Sequence, residues 1–290
     1  MLIEIKQLPA YPSASGIEYL NKKYYIIGDD ANNLLITDDS LTAIDSIPLY
    51  SFAEKRIPKN LKADLESITT VQVDSVEKLL LVGSGSLAPN RNTGWLIDPV
   101  SKKADSIQLD IFYTRLKEHG LDEINIEGIC SVPGGILLSN RGNKNYRKNF
   151  LVYTKKAFWK KQSDIPITLI PVGSNTDTTV FNGISGMAYV STTDQLILTV
   201  STEDTGNNID DGAIGKSYLW IVDDFSAKKN WAAINPNKII DLEKKDSRFK
   251  GQKIESVCVT SVEDGLIQLV LAADNDNGIS TLFRIEIKQN

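Results

Sequence analysis

The chain has 290 residues, 41% hydrophobic and 24% charged, with a formal net charge of −5 and one histidine. That profile is an ordinary soluble globular one. Its acidity and lack of long basic runs argue against nucleic acid as a partner. No window approaches the roughly 18 consecutive apolar residues that a membrane span needs.

The chain opens on Leu2-Ile-Glu-Ile-Lys-Gln-Leu8, which alternates like a half-buried strand and lacks the apolar core of a signal peptide. As written it reads as cytoplasmic, or as secreted or periplasmic where a signal peptide has been removed. Four short β-prone runs follow, at Ser15–Leu20, Lys22–Gly28, Asn33–Thr37 and Leu41–Leu49, bounded by turn residues. This unit then recurs. Its opening anchor reads Ser15-Gly-Ile-Glu18, Leu65-Glu66-Ser-Ile68, Ile126-Glu127-Gly-Ile129, Ile184-Ser185-Gly-Met187 and Ile254-Glu255-Ser-Val257. Spacings between anchors of 51, 61, 58 and 70 residues are those of short-stranded propeller blades.

The expected fold is therefore all-β, a single five-bladed β-propeller over 1–290. Its blades fall near 11–61, 62–121, 122–180, 181–250 and 251–290 plus 1–10. The last repeat lacks a fourth strand, and the N-terminal strand is expected to supply it and close the ring. Asp110–His119 is the best helix candidate, between blades two and three, and carries the only histidine. Cys130 and Cys258 each stand three residues after an anchor glutamate in non-adjacent blades, which predicts two buried free thiols.

In a propeller all inner strands start on one face, so the anchors converge on the axis there. Glu66, Glu127 and Glu255 would meet in a narrow channel with Ser15 and Ser185 in the remaining blades. Three converging carboxylates repel one another, and an oxygen-only ligand set selects a hard cation, Ca²⁺ before Mg²⁺. The simpler reading is that the glutamates accept hydrogen bonds from neighbouring backbone. In blade two, Asp64 competes with Glu66 for the anchor position. Loops on the same face add Asp29, Asp30, Arg91, Asn140, Arg141 and Glu203. A guanidinium at Arg141 could grip a phosphate or a loop acid. Histidine nucleophile chemistry, a lysine-bearing phosphate loop and cysteine metal spacing are not among the patterns present.

The order serine, glutamate, glutamate, serine, glutamate, one per blade, resembles the calcium-activated nucleotidases of the apyrase type. So do two segments, Ser15 to Asp30 and Gly183 to Gly206. A weaker similarity is to phytase-like and esterase-like propellers. The nucleotidase resemblance implies an axial calcium held by Ser15, Glu66, Glu127, Ser185 and Glu255, with the serines contributing backbone carbonyls. It implies a phosphorylated small-molecule substrate, most plausibly a nucleoside diphosphate. On that reading Arg141, Asn140 and Arg91 contact substrate, and Asp29, Asp30 and Glu203 position water. The alternative is a non-catalytic propeller with a structural calcium and a ligand- or partner-binding face; the sequence does not name a protein partner.

Overall fold

Among the described residues twenty short strands form five sheets of four, bounded by turn residues. The computed structural model describes residues 2–173, 181–203, 214–227, 233–276 and 278–289, apart from the side chains of Glu203 and Ile214. Blade one consists of β2 (Ala14–Leu20), β3 (Lys23–Gly28), β4 (Asn33–Asp38) and β5 (Ala43–Pro48). Blade two consists of β6 (Leu65–Val73), β7 (Val76–Gly83), β8 (Thr93–Ile97) and β9 (Ala104–Gln108). Blade three consists of β10 (Ile126–Val132), β11 (Gly135–Asn140), β12 (Asn149–Thr154) and β13 (Ile167–Val172). Blade four consists of β14 (Asn182–Val190), β15 (Gln195–Glu203), β16 (Ile214–Val222) and β17 (Lys238–Asp241). Blade five holds β18 (Ile254–Glu263), β19 (Leu266–Asp274) and β20 (Ser280–Lys288), with β1 (Leu2–Leu8) as its outer strand. The fold is a five-bladed β-propeller, as the repeats indicate, and the N-terminal strand closes it.

Every sheet is antiparallel, and β1 pairs with β20 from Leu2 opposite Ile285 to Leu8 opposite Ser280. The inner strands β2, β6, β10, β14 and β18 neighbour one another in a closed ring. Five apolar clusters fill the spaces between adjacent blades. Leu81 and Ile27 pack between blades one and two, Val82 and Leu138 between two and three, and Leu137 and Leu198 between three and four. Ile197 and Leu271 serve blades four and five, and Val270 and Ile26 close five onto one. Second strands are thus buried on both faces. That is why they read as continuous apolar runs rather than as alternation.

Helix α1 (Asp110–Glu118) forms where the sequence indicates, with His119 just beyond its end. Its Phe112, Tyr113 and Leu116 are buried between blades two and three, and Tyr113 Oη donates to the Gly83 carbonyl at 2.5 Å. The helix so pins the end of β7 from which a site loop departs. Cys130 and Cys258 are buried free thiols. Among the described residues, no helix is long and apolar enough to cross a membrane.

Candidate axial site

All five anchors share one backbone feature. The pairing of each inner strand with its neighbour slips by one residue, at Ala14/Gly16, Leu65/Ser67, Ile126/Gly128, Ile184/Gly186 and Ile254/Ser256. The skipped residues are Ser15, Glu66, Glu127, Ser185 and Glu255. A bulge re-aims the extra side chain out of the alternating pleat. Repeated five times around the ring, it makes these residues one equivalent set. Glu66, not Asp64, is therefore the register equivalent of the other anchors.

The two serines latch blades together. Ser15 Oγ donates to the Leu65 carbonyl at 2.5 Å, and Ser185 Oγ donates to the Ile254 carbonyl at 2.6 Å. Each reaches the residue just before the next blade's anchor. Ser15→Ala would leave a buried acceptor without this donor and should cost about 1–3 kcal/mol of stability, read by denaturant unfolding. A cost indistinguishable from zero would show that the latch carries no load.

The three glutamates lie among further acids and several cations. Glu127 accepts from Asn125 Nδ2 at 2.5 Å, and its Oε2 lies 3.7 Å from Arg141 Nη1. Arg141 Nη1 also lies 4.0 Å from Glu255 Oε2, while Lys253 Nζ meets Glu255 Oε1 at 2.9 Å. On the blade-one side, Lys62 Nζ bridges Asp29 and Asp64, the latter at 2.7 Å. Asp64 also takes Arg91 Nη1 at 2.7 Å and Ser84 Oγ at 2.5 Å. Asp29, Asp64 and Glu66 offer oxygens within 4.8 Å of one another, the one such acidic group at metal-ligand spacing among the described residues.

Of these groups, six carboxylates (Asp29, Asp64, Glu66, Glu127, Glu255 and Asp274) lie among four cations (Lys62, Arg91, Arg141 and Lys253), a formal excess of two acids. The strain shows in their protonation. Burial pushes the Glu127 carboxyl up to about 8; Arg141 opposes the shift and Glu255 adds to it. Burial, then Asp64 and Glu127, hold Glu66 well above the ordinary carboxylate range. Burial lifts Asp29 to about 6 against the pull of Lys62, and Asp274 to about 7 with Asp29 adding to the shift. Glu255 Oε2 and Asp29 Oδ1 are buried oxygens with no hydrogen-bond partner.

In the cation-free protein these groups fix the sign of the pH response. Their folded values lie above their ordinary ones, so the folded chain retains protons that the unfolded chain has released. The contribution of Glu127 to stability is then fully present below about pH 4.5 and is lost as pH rises through about 8. Calcium should therefore raise Tm more at pH 8 than at pH 6 in thermal melts; an equal shift would mean that these carboxylates do not meet the ion.

Of the residues expected around the anchors, the structure gathers some and turns others away. Arg141 sits between Glu127 and Glu255. Gly183 makes room for it, since a β-carbon there would overlap its Nε and lie 3.0 Å from its Cγ. Asp29 is at the site, whereas Asp30 pairs with Arg56 at 2.6 Å and keeps Oδ1 without a partner. Arg91 is buried against Asp64 and Ser86, and so positions an acid. Asn140 accepts from Asn125 N at 2.7 Å and donates to the Glu123 carbonyl at 3.0 Å, tying the loop before the third anchor. The Glu203 side chain lies outside the described residues. Lys62 and Lys253 were not anticipated. The available signal was their place, four and two residues before an anchor acid.

An acidic, axially closed five-bladed propeller is the class of protein that fold and site define. A family model described as a family of unknown function (DUF6929) matches residues 10–287, and the chain belongs to that family. Among solved structures, Myxococcus xanthus glutaminyl cyclase is similar with a TM-score of 0.55 at 8% identity, covering 100% of this chain and 97% of that one. A streptogramin B lyase gives a TM-score of 0.42 at 11% identity over 99% of this chain and 87% of that one. The first shows a shared fold alone; the second carries no argument. No curated protein matches.

Proposed function

We propose that the axial end binds a calcium ion and hydrolyses a phosphoanhydride, with a nucleoside diphosphate as the substrate class. The observation that carries this reading is the crowding of buried carboxylates, a formal excess of two over the cations beside them, in which burial and neighbouring acids raise Glu66 and Glu127 above the ordinary carboxylate range. A divalent cation matches that surplus and favours the ionised forms. The donor types fit a hard ion: Asp29, Asp64 and Glu66 bring carboxylate oxygens within 4.8 Å of one another, Asp29 Oδ1 and Glu255 Oε2 have no hydrogen-bond partner, and Glu127 and Glu255 stand at the same five-fold bulge as Glu66. Backbone carbonyls at Ser15 and Ser185 would complete the set. When bound, calcium supplies Lewis-acid polarisation of a phosphoryl oxygen.

This chain's residues then divide the remaining work. Arg141 lies between Glu127 and Glu255, 3.7 and 4.0 Å from their carboxylates, and is the candidate to grip a phosphate oxygen. Asp29 Oδ1 has an open acceptor that can orient an attacking water and take its proton. Asp30 and Glu203 are the further candidates for that role. Lys62 holds Asp29 in place.

One observation favours the non-catalytic alternative, a structural ion beneath a ligand- or partner-binding face. Arg91 and Asn140, two of the three expected substrate contacts, are committed to the scaffold. Phosphate release from nucleoside di- and triphosphates and phytate, with calcium and with chelator, separates the two. Calcium-dependent release supports hydrolysis and names the substrate. A folded, calcium-loaded chain that releases none overturns it.

A further inference from the structure

Three residues past the anchors, one layer further along the inner strands by about 10 Å, stand Glu18, Thr69, Cys130, Ala188 and Cys258. They line a second cavity of about 200 Å³, together with Thr70, Met187 and Tyr189. Its chemistry differs from the axial site. Glu18 is its one carboxyl. Its Oε2 accepts from Thr70 N at 3.3 Å, the Tyr19 backbone and the Thr69 side chain also hydrogen-bond the carboxyl, and no cation pairs with it among the described residues. Burial pushes this carboxyl up to about 7, as expected of a charge facing low-polarity walls without a counter-ion. Thr70 Oγ1 is buried with no hydrogen-bond partner. The remaining walls are soft and apolar, with Cys130 Sγ 3.3 Å from Met187 Sδ and Cys258 buried nearby.

We infer that this cavity is a second binding site, which takes a small primary alkylammonium with its nitrogen on Glu18. An ammonium presents three donors and no acceptor. The cavity offers it an uncompensated carboxylate and the unpartnered Thr70 hydroxyl oxygen, with a polarisable sulfur-lined wall for a short alkyl chain. The volume falls below that of a drug-sized pocket and limits the guest to a few heavy atoms. A divalent metal suits it less: the one acidic group at ligand spacing among the described residues lies at the anchor end. Both cysteine thiols are pushed up by burial, and Glu18 raises them further, so they serve as wall rather than as nucleophiles.

The test is calorimetric titration with n-butylammonium chloride and with n-butanol, in chelator so that the axial acids hold no divalent cation. Saturable one-to-one binding of the amine but not the alcohol is expected. Glu18→Gln, nearly isosteric, should weaken it by at least about tenfold, since a charge-assisted pair is lost. Thr70→Val keeps the charge and should weaken it by a smaller factor. Thermal melts confirm that each variant is folded. Equal affinity for alcohol and amine, undiminished binding in folded Glu18→Gln, or no saturable heat at millimolar amine overturns the assignment. None of these outcomes bears on the calcium reading.

Discussion

Deleting Leu2–Leu8 should convert a cooperative melt into a broad, early transition, with a loss on the order of 5 kcal/mol or more. The strand contributes six paired positions against β20, and each net backbone hydrogen bond is worth about 0.5–1.5 kcal/mol. Leu8 is also lost from the cluster that joins blade five to blade one, where it packs with Tyr11 and Leu282. The loss is large against the roughly 5–15 kcal/mol by which domains are stable. It also exposes β20 as an open edge, a template for association. Differential scanning calorimetry with size-exclusion chromatography checks both consequences. An unchanged transition would mean that the blades hold together without closure.

Glu127→Ala should remove the calcium response altogether. Saturating calcium at 100 times its dissociation constant would stabilise the wild type by about 2.7 kcal/mol. For a chain of this size that is a Tm rise of roughly 4–5 °C. Glu127 is central because it meets Arg141 and Asn125, and its charge is felt by Glu66 on one side while it feels Glu255 on the other. The variant should show no calcium-dependent Tm shift, and any phosphate release should fall to the chelator-treated level. A glutamate with only a scaffold role would instead lower Tm equally with and without calcium.

Much of the fold was legible because a propeller repeats its local code. The Ser15, Glu66, Glu127, Ser185 and Glu255 anchors sit at the same point of five similar strand runs, and closure by the first strand followed from a missing fourth strand in the last repeat. The bulge at each anchor was not legible. It is a relation between the registers of two strands, and neither strand's sequence states it alone. The choice between Asp64 and Glu66 turned on that relation. Charge compensation is likewise hidden in the sequence. Crowded acids can be neutralised by protein cations as well as by a metal, and Lys62 and Lys253 take part of that role from positions outside the repeat's apolar pattern. Arg91 and Asn140 looked like free loop polarity because their partners, Asp64 and the Asn125 backbone, are distant in sequence. Gly183 carries a clearer message in hindsight: the one anchor preceded at two residues by glycine is the one beside which Arg141 passes.

The most direct test of the central claim is isothermal titration of calcium into chelator-stripped protein at pH 7. One saturable site is expected, with proton release because Glu66 and Glu127 are held partly protonated without the ion. The same titration should be flat in Glu127→Ala. A flat titration in the folded wild-type chain would contradict the account and leave the axial acids as a self-paired network with Lys62, Arg91, Arg141 and Lys253.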